Sequence, residues 1–251
     1  MSGRTLDLLK PDWPAPDRVR AVSTTRRGGA SQGAYDALNL SASVGDDTAI
    51  VSENRRLLVD AAGLPESPRW LEQVHGNTAI TASEHDHVQR ADACVTDRPG
   101  QVCAVLTADC LPLLLCNETG TQVAAIHAGW RGLAAGVVES ALETFARPEE
   151  AMAWIGPGIS ATTYTVGPEV RDAFISSDAN AASAFKSGDD GRWLADLPQL
   201  ARRRLRRNGV TRVYTSGLCT FGDPVNFFSY RRDGVTGRMA TLIWIAPAKP
   251  V

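Results

Sequence analysis

Two histidines and a cysteine stand in settings that suit chemistry. His75 closes the segment Gln73-Val74-His75-Gly76, just after Trp70 and Leu71. His127 opens His127-Ala128-Gly129-Trp130-Arg131-Gly132, where an apolar run gives way to helix-like spacing. Between them Cys110 ends Thr107-Ala108-Asp109-Cys110, again at the end of an apolar run. Functional groups gather at strand ends and the loops beyond them, where a rigid scaffold can aim them. Neutral imidazole and thiolate are good ligands for zinc or copper. A trio drawn from three strand ends leaves a fourth position open, the design in which a catalytic zinc acidifies water. The same trio fits a cysteine nucleophile activated by histidine. It also fits a buried thiol beside two hydrogen-bonded imidazoles. Spacing alone does not choose, because the short ligand pairs of a structural zinc site are absent.

Anion-binding candidates lie close by. Arg131 is four residues after His127 and near a predicted helix start, where an anion is favoured and arginine adds bidentate hydrogen bonds. Arg26-Arg27-Gly28-Gly29 and Gly156-Pro157-Gly158-Ile159-Ser160 are glycine-rich loops whose amides can hold an oxyanion or phosphate. Neither matches a Walker or dinucleotide fingerprint. His85-Asp86-His87 sits in the polar stretch SEHDHVQR and reads as a solvated loop rather than a second metal site. Arg202, Arg203, Arg204, Arg206 and Arg207 read as a solvated helix face. The interleaved aromatics of a single-strand nucleic-acid binder are missing there. Asp233-Gly234 reads as a hairpin turn, which gives Arg231 and Arg232 a structural role.

These residues need elements to position them. Strands are predicted at 19–24, 91–95, 102–107, 113–116, 122–127, 152–155, 210–215 and 238–246. Asn117-Glu118-Thr119-Gly120 is a turn that joins two of them as a hairpin. A helix is predicted from Asp47 to Ala62, with Ile50, Leu57, Leu58 and Ala61 on one face and Gly63 as stop. A second starts near Gly132 and buries Ala134, Val137, Val138, Ala141, Leu142 and Phe145. Pro168 opens a short third helix. Asp196 caps a fourth that runs to Asn208. Strands and helices are interspersed without regular βαβ alternation, which favours an α+β over a doubly wound fold, and the length allows one large domain or two small ones. Residues 1–17 are proline-rich and read as irregular.

Composition narrows the classes. The chain has 251 residues and a formal charge of −2, with 43% hydrophobic and 22% charged residues. That excludes a disordered chain and argues against a nucleic-acid binder, which needs a basic excess. No apolar run approaches the roughly 18 residues of a membrane span, and no export signal is evident, so the default compartment is the cytoplasm. Five cysteines without a CxxC read as reduced thiols.

A series of segments carries a resemblance over nearly the whole chain, from about residue 24 to 243. They are TTRRGGASQGAYDALNL, VGDD, ENRR, WLEQVHG, TADCLPLLL, HAGWRG, WIGPGIS, GLCT and FFSYRRDGVTGRMA. The chain resembles the laccase-domain family, variously called multicopper polyphenol oxidase, purine nucleoside phosphorylase and peptidoglycan editing factor. The resemblance implies that His75, Cys110 and His127 form the metal and catalytic trio. It implies zinc, with copper as the alternative. The implied fold is a single α+β domain over 1–251, a four-layer α/β/β/α sandwich similar to the catalytic domain of cytotoxic necrotizing factors. The implied activity is phosphorolysis of adenosine, inosine, guanosine and methylthioadenosine, with hydrolytic deamination of adenosine. Purine nucleosides and phosphate are then the partners, with no nucleic acid and no membrane, and a monomer is favoured. In that reading Asp109 is an acid/base or orienting group, and Arg26 and Arg131 are the phosphate candidates. Asn39, Arg55, Tyr164 and Arg231 also lie in family-like motifs, without an assigned contact. Four histidines cannot supply the blue-copper and trinuclear centres of a true multicopper oxidase. The alternative from another reaction class is a Cys110-dependent amidase that edits peptidoglycan precursors.

Overall fold

The computed structural model describes residues 5–82 and 88–248. The chain begins with β1 (Leu8–Leu9), β2 (Val19–Thr24) and helix α1 (Thr48–Ala62). Short strands follow as β3 (Leu71–Glu72), β4 (Ala79–Thr81) and β5 (Gln89–Arg90), then β6 (Ala93–Thr96) and β7 (Val102–Thr107). The hairpin β8 (Leu111–Asn117) and β9 (Val123–Ala128) leads to α2 (Trp130–Ala135), α3 (Val137–Leu142) and β10 (Ala151–Ile155). After β11 (Thr165–Val166) and α4 (Pro168–Ile175) come β12 (Phe185–Ser187), β13 (Trp193–Ala195) and α5 (Leu197–Arg207). The chain closes with β14 (Arg212–Thr215), α6 (Tyr230–Asp233) and β15 (Met239–Ile245).

This is a mixed α/β fold. Its larger sheets run β1-β2-β15-β7 and β14-β10-β8-β9-β6-β4. Side chains alternate across a strand, and β8 is buried on both faces. Leu111, Leu113 and Leu115 point into a cluster with Leu133, Val137 and Val138 of the helices. Leu114 and Cys116 point the other way, toward Cys103 and Val105 of β7 and Ile243 and Ile245 of β15. The opposite face of β7 and β15 offers Val102, Ala104, Leu242 and Trp244 to Leu58 of α1. Strands covered on both faces read as continuous apolar runs, which is why TADCLPLLL looks as it does.

Several local expectations need correction. Strand β8 starts two residues before the predicted Leu113 and includes Pro112. The Pro112 carbonyl accepts from the Gly156 N–H at 2.9 Å, on the side where β10 has already ended. A proline is tolerated where no ladder donor is required. The helix expected from Gly132 is two helices, because Gly136 takes φ +96° and ends the first. Helix α1 buries Val51, Asn54 and Leu58 and leaves Ala61 exposed. Its face is turned because the Asn54 side chain holds a loop: it accepts from the Ala30 N–H at 2.7 Å and donates to the Asn39 carbonyl at 2.9 Å. Asp233-Gly234 ends helix α6 rather than turning a hairpin, since the Ser229 hydroxyl caps that helix by accepting from the Arg232 N–H. At the N-terminus Leu8–Leu9 pairs with the edge of β2. No helix among the described residues is long and apolar enough to cross a membrane.

Candidate functional site

Strand β9 delivers His127, which is only 3% exposed. Beside it, just before β6, lies Asp92, which is fully buried. A buried carboxylate is tolerated only when its oxygens are hydrogen-bonded or paired. Asp92 meets that condition completely. Its Oδ1 accepts from His127 Nδ1 at 2.8 Å and from the His75 N–H at 2.9 Å. Its Oδ2 accepts from the N–H groups of Gly76 at 2.7 Å and Val74 at 3.3 Å. One carboxylate therefore fixes the ring of one histidine and the backbone of the other. His75 takes φ +59°, a conformation that costs a residue with a Cβ, and the Asp92 contacts hold it there. With Nδ1–H committed to Asp92, His127 presents Nε2 outward. Burial works to raise the Asp92 carboxyl, but His127 and the N–H groups outweigh it and hold it below the usual range.

Cys110 stands at the start of β8, with Sγ 3.7 Å from His75 Nε2. The His75 and His127 rings meet edge to face at 4.7 Å between centroids. Burial alone would raise the Cys110 thiol, yet His127 and His75 bring it down to about 6. Burial alone would lower His127, yet Cys110 and Asp92 bring it up to about 9. Each group thus favours the charged form of the other, thiolate beside imidazolium.

The three ligating atoms of His75, Cys110 and His127 lie within 4.8 Å of one another. Two imidazole nitrogens and a thiolate are a donor set for zinc or copper. Tetrahedral zinc with ordinary bond lengths needs an S···N separation of about 3.5 Å, close to what Cys110 and His75 offer. The residues fit the ion. This is the single such group among the described residues. His85 and His87 lie outside those residues.

Asp109 is differently employed. It takes φ +92°. Its Oδ1 accepts from the Thr220 hydroxyl at 2.7 Å, and its Oδ2 from the Ser229 hydroxyl at 3.0 Å and the Arg231 N–H at 2.7 Å. The Ile159 N–H bonds its carbonyl at 2.9 Å. The carboxylate is committed to the Thr220 loop and the start of α6, and it orients the turn that presents Cys110.

The glycines of HAGWRG have a reason to be glycine. A Cβ on Gly129 would lie 2.9 Å from His75 Cδ2 and 3.0 Å from Cys110 Sγ. One on Gly132 would lie 2.5 Å from the Gly76 carbonyl oxygen. Gly129→Ala is therefore expected to push two ligands apart while leaving the cores untouched. Zinc affinity should fall about tenfold or more, with a stability loss of about 1–3 kcal/mol. Competition titration with a zinc chelator dye, beside thermal melts, checks this; undiminished zinc affinity would refute it.

The trio opens on a cavity of about 890 Å³ that Arg55, Gln73, Tyr164, Arg231 and Arg238 also line. Arg55 lies over the Trp70 ring at 4.2 Å and donates from Nε to the Leu40 carbonyl. Arg238 donates from Nη1 to the carbonyls of Thr236 and Gly237, each at 2.9 Å. Its own N–H bonds Asn39 Oδ1 at 3.0 Å. Asn39 is fully buried and spends its amide on Ser41 and Asp46, so it serves the wall behind Arg238. Arg231 donates to the Thr165 carbonyl at 2.7 Å. Burial and the nearby Cys110 charge push the Tyr164 phenol up, so it keeps its proton.

Arg26 and Arg131 do not line this cavity. Arg26 donates to the carbonyls of Asp36 and Pro224 and lies over the Phe228 ring at 4.5 Å. Arg131 is exposed, stacks on Trp130 and lines a neighbouring cavity of about 510 Å³. Sequence reasoning missed Asp92 and Arg238. The signal for Asp92 was present: an acid inside the apolar run Ala91 to Val95 demands a partner.

A mixed α/β fold whose strand ends bring one His/Cys/His group to an arginine-lined cavity defines the class. The chain belongs to the family described as multi-copper polyphenol oxidoreductase laccase, whose model matches residues 20–246. It is 52% identical over 239 residues to "Purine nucleoside phosphorylase PA4543" of Pseudomonas aeruginosa, covering 94% of this chain and 98% of that protein. It is 50% identical over 240 residues to "Purine nucleoside phosphorylase YfiH" of Escherichia coli K12, covering 95% and 98%. Among solved structures, Neisseria meningitidis protein NMB0706 aligns with a TM-score of 0.92 at 48% identity, covering 96% of this chain and 99% of that one. YlmD from Geobacillus stearothermophilus aligns at 0.88 and 30% identity, covering 96% of each chain.

Proposed function

We propose that this protein is a purine nucleoside phosphorylase acting at the His75, Cys110 and His127 group. The observation that carries this reading is that the trio shares one cavity with three arginines. The names of the relatives support it. In phosphorolysis a phosphate oxygen bonds to C1′ of the ribose, the bond from C1′ to the purine nitrogen breaks, and its electron pair leaves with the base, which takes up a proton. Arg55, Arg231 and Arg238 hold the phosphate in this reading, in place of Arg26 and Arg131, which lie outside the cavity. Tyr164 offers a protonated hydroxyl as hydrogen-bond donor beside the trio. Asp109 orients Cys110 and is too fully engaged to shuttle a proton. Zinc, with copper as alternative, would be held by His75, Cys110 and His127 and would supply Lewis acidity. Deamination of adenosine, with water replacing the C6 amine as ammonia leaves, belongs to the same proposal. So does a fold likeness to the cytotoxic necrotizing factor catalytic domain, whose Cys–His pair invites the comparison.

A second reading has its own observation. Asp92, His127 and Cys110 stand in the order of an orienting acid, a base and a thiol nucleophile. That order favours amide hydrolysis with Cys110 attacking the carbonyl. A polyphenol oxidase reading draws on the family description, while the described residues hold one ligand group.

Product analysis by chromatography and mass detection tests these readings. The protein is given adenosine with and without phosphate. Adenine plus ribose 1-phosphate, formed only with phosphate, is expected; inosine formed without phosphate marks deamination. Adenosine left untouched at high enzyme concentration overturns the nucleoside reading. Arg238→Gln is expected to raise KM for phosphate about tenfold or more, the cost of losing one charge-assisted contact of roughly 1.5–3 kcal/mol. An unchanged phosphate KM would remove Arg238 from that role.

A further inference from the structure

The arginine run on α5 is the motif that the catalytic cavity does not absorb. Strands β10 and β14 run parallel and in register from the Met152–Arg212 pair to the Ile155–Thr215 pair. Beyond their carboxyl ends lies a cleft of about 690 Å³, within the usual range of small-ligand pockets. Crevices at strand carboxyl ends are frequent ligand sites in α/β sheets. One wall is the α5 face carrying Arg202, Arg203, Arg206 and Arg207. The other is made by the loops after the two strands, where Gly156, Gly158 and Gly217 leave the floor open and Ser160 and Ser216 add hydroxyls.

The charge balance of this cleft is one-sided. Asp196 is the single acid in its lining, and its carboxylate is spent on capping α5 through the Gln199 N–H. Arg203 pairs with Asp178 at 2.6 Å, and Arg207 reaches the same carboxylate at 3.6 Å. Arg204 turns away to Glu139. The guanidinium groups of Arg202 and Arg206 have no ion-pair or hydrogen-bond partner among the described residues. They stand four apart on the helix, a spacing at which like charges repel. A bound anion would relieve that repulsion. The lining holds no aromatic side chain on which a nucleobase of a single strand would stack.

We propose that this cleft is a second anion site, separate from the catalytic cavity, which takes a small molecule carrying a diphosphate or two phosphate groups. Two unpaired guanidinium groups with two half-satisfied ones behind them match a ligand with two phosphoryl centres better than a single inorganic phosphate. Ile159 lies between the two cavities and lines both, and its N–H holds the Asp109 carbonyl. The site does not depend on the proposed activity, because its test reads binding alone.

Isothermal titration of the full chain with inorganic pyrophosphate, at fixed ionic strength, tests it. Wild type, Arg202→Gln/Arg206→Gln and Arg238→Gln are compared, with thermal melts of the free proteins as a folding control. Pyrophosphate should bind wild type and Arg238→Gln alike, and at least tenfold more weakly to the double variant. Inorganic phosphate should bind the cleft more weakly than pyrophosphate. Equal pyrophosphate binding by wild type and the double variant overturns the proposal, as does binding lost only in Arg238→Gln, which would place the anion in the catalytic cavity. Absence of binding up to millimolar pyrophosphate also overturns it. An RNA oligonucleotide that binds through Arg202 and Arg206, where pyrophosphate does not, would assign the face to nucleic acid instead.

Discussion

Replacing Asp92 by alanine is expected to destabilise the protein by about 3–5 kcal/mol, the range for removing one partner of a buried charged pair. The loss has identifiable parts. His127 Nδ1–H and the N–H groups of Val74, His75 and Gly76 all lose their acceptor in one step. The buried imidazole keeps Cys110 as its one remaining counter-charge, and His75 is left in a left-handed conformation without the carboxylate that held its N–H. Asp92→Asn keeps the shape and separates stability from ligand placement. Its amide presents one acceptor and one donor where two acceptors are required. With the nitrogen in the Oδ1 place both histidines face a donor. With it in the Oδ2 place the Val74 and Gly76 N–H groups that fix the His75 turn do. Zinc affinity should drop about 10–100-fold, the usual cost of losing the group that orients a metal-binding histidine. Urea unfolding and zinc competition titration read the two effects independently. Wild-type zinc affinity in Asp92→Asn would remove Asp92 from the role of positioning residue.

Cys110→Ala carries the second large effect. Turnover should fall about 10²–10³-fold or more, the scale for deleting one group at a reacting centre. The melting temperature should move little, since the side chain removed is small and only half-buried. Thiol labelling gives a matching test. In zinc-free protein, iodoacetamide at neutral pH should modify Cys110, whose thiol lies near 6, and spare Cys116, which burial pushes up to about 12. Cys94 and Cys103 are fully buried and should also be spared. Added zinc should protect Cys110. Labelling that zinc does not slow would show that the thiolate is not a ligand and would favour the amidase reading.

The trio was legible as a candidate because the chain has only four histidines, because these three residues fall at strand ends, and because each lies in a family-like motif. The strands were legible for a related reason: burial on both faces of β8 forces an apolar run of fixed length. Asp92 was not read because a single acid in a strand looks like a solvated exception until its partners, which lie in two other segments, are placed beside it. Arg26 and Arg131 are phosphate candidates in the sequence from nearness to glycines and to His127. Nearness along the chain does not fix which side of a loop a long side chain takes, and both turn to stack on aromatic rings. Arg238 shows the converse. It lies at the far end of the chain from Arg55, and only the pairing of β15 between β2 and β7 brings both to one cavity. The broken helix at Gly136 and the turned face of α1 share one cause. Apolar spacing locates a helix, while a positive-φ glycine or a buried asparagine decides where it stops and how it is rotated.

The way Asp92 holds the loop around His75 has a consequence for protein engineering. The grip is on backbone amides, so the identity of the neighbouring side chains is left free. Val74 is 38% exposed, and its amide is the part that the carboxylate uses. Position 74 can therefore be randomised, or made to carry a probe or tether, while the ligand next to it stays in place. Natural variation at that position would leave the ligand set in place for the same reason.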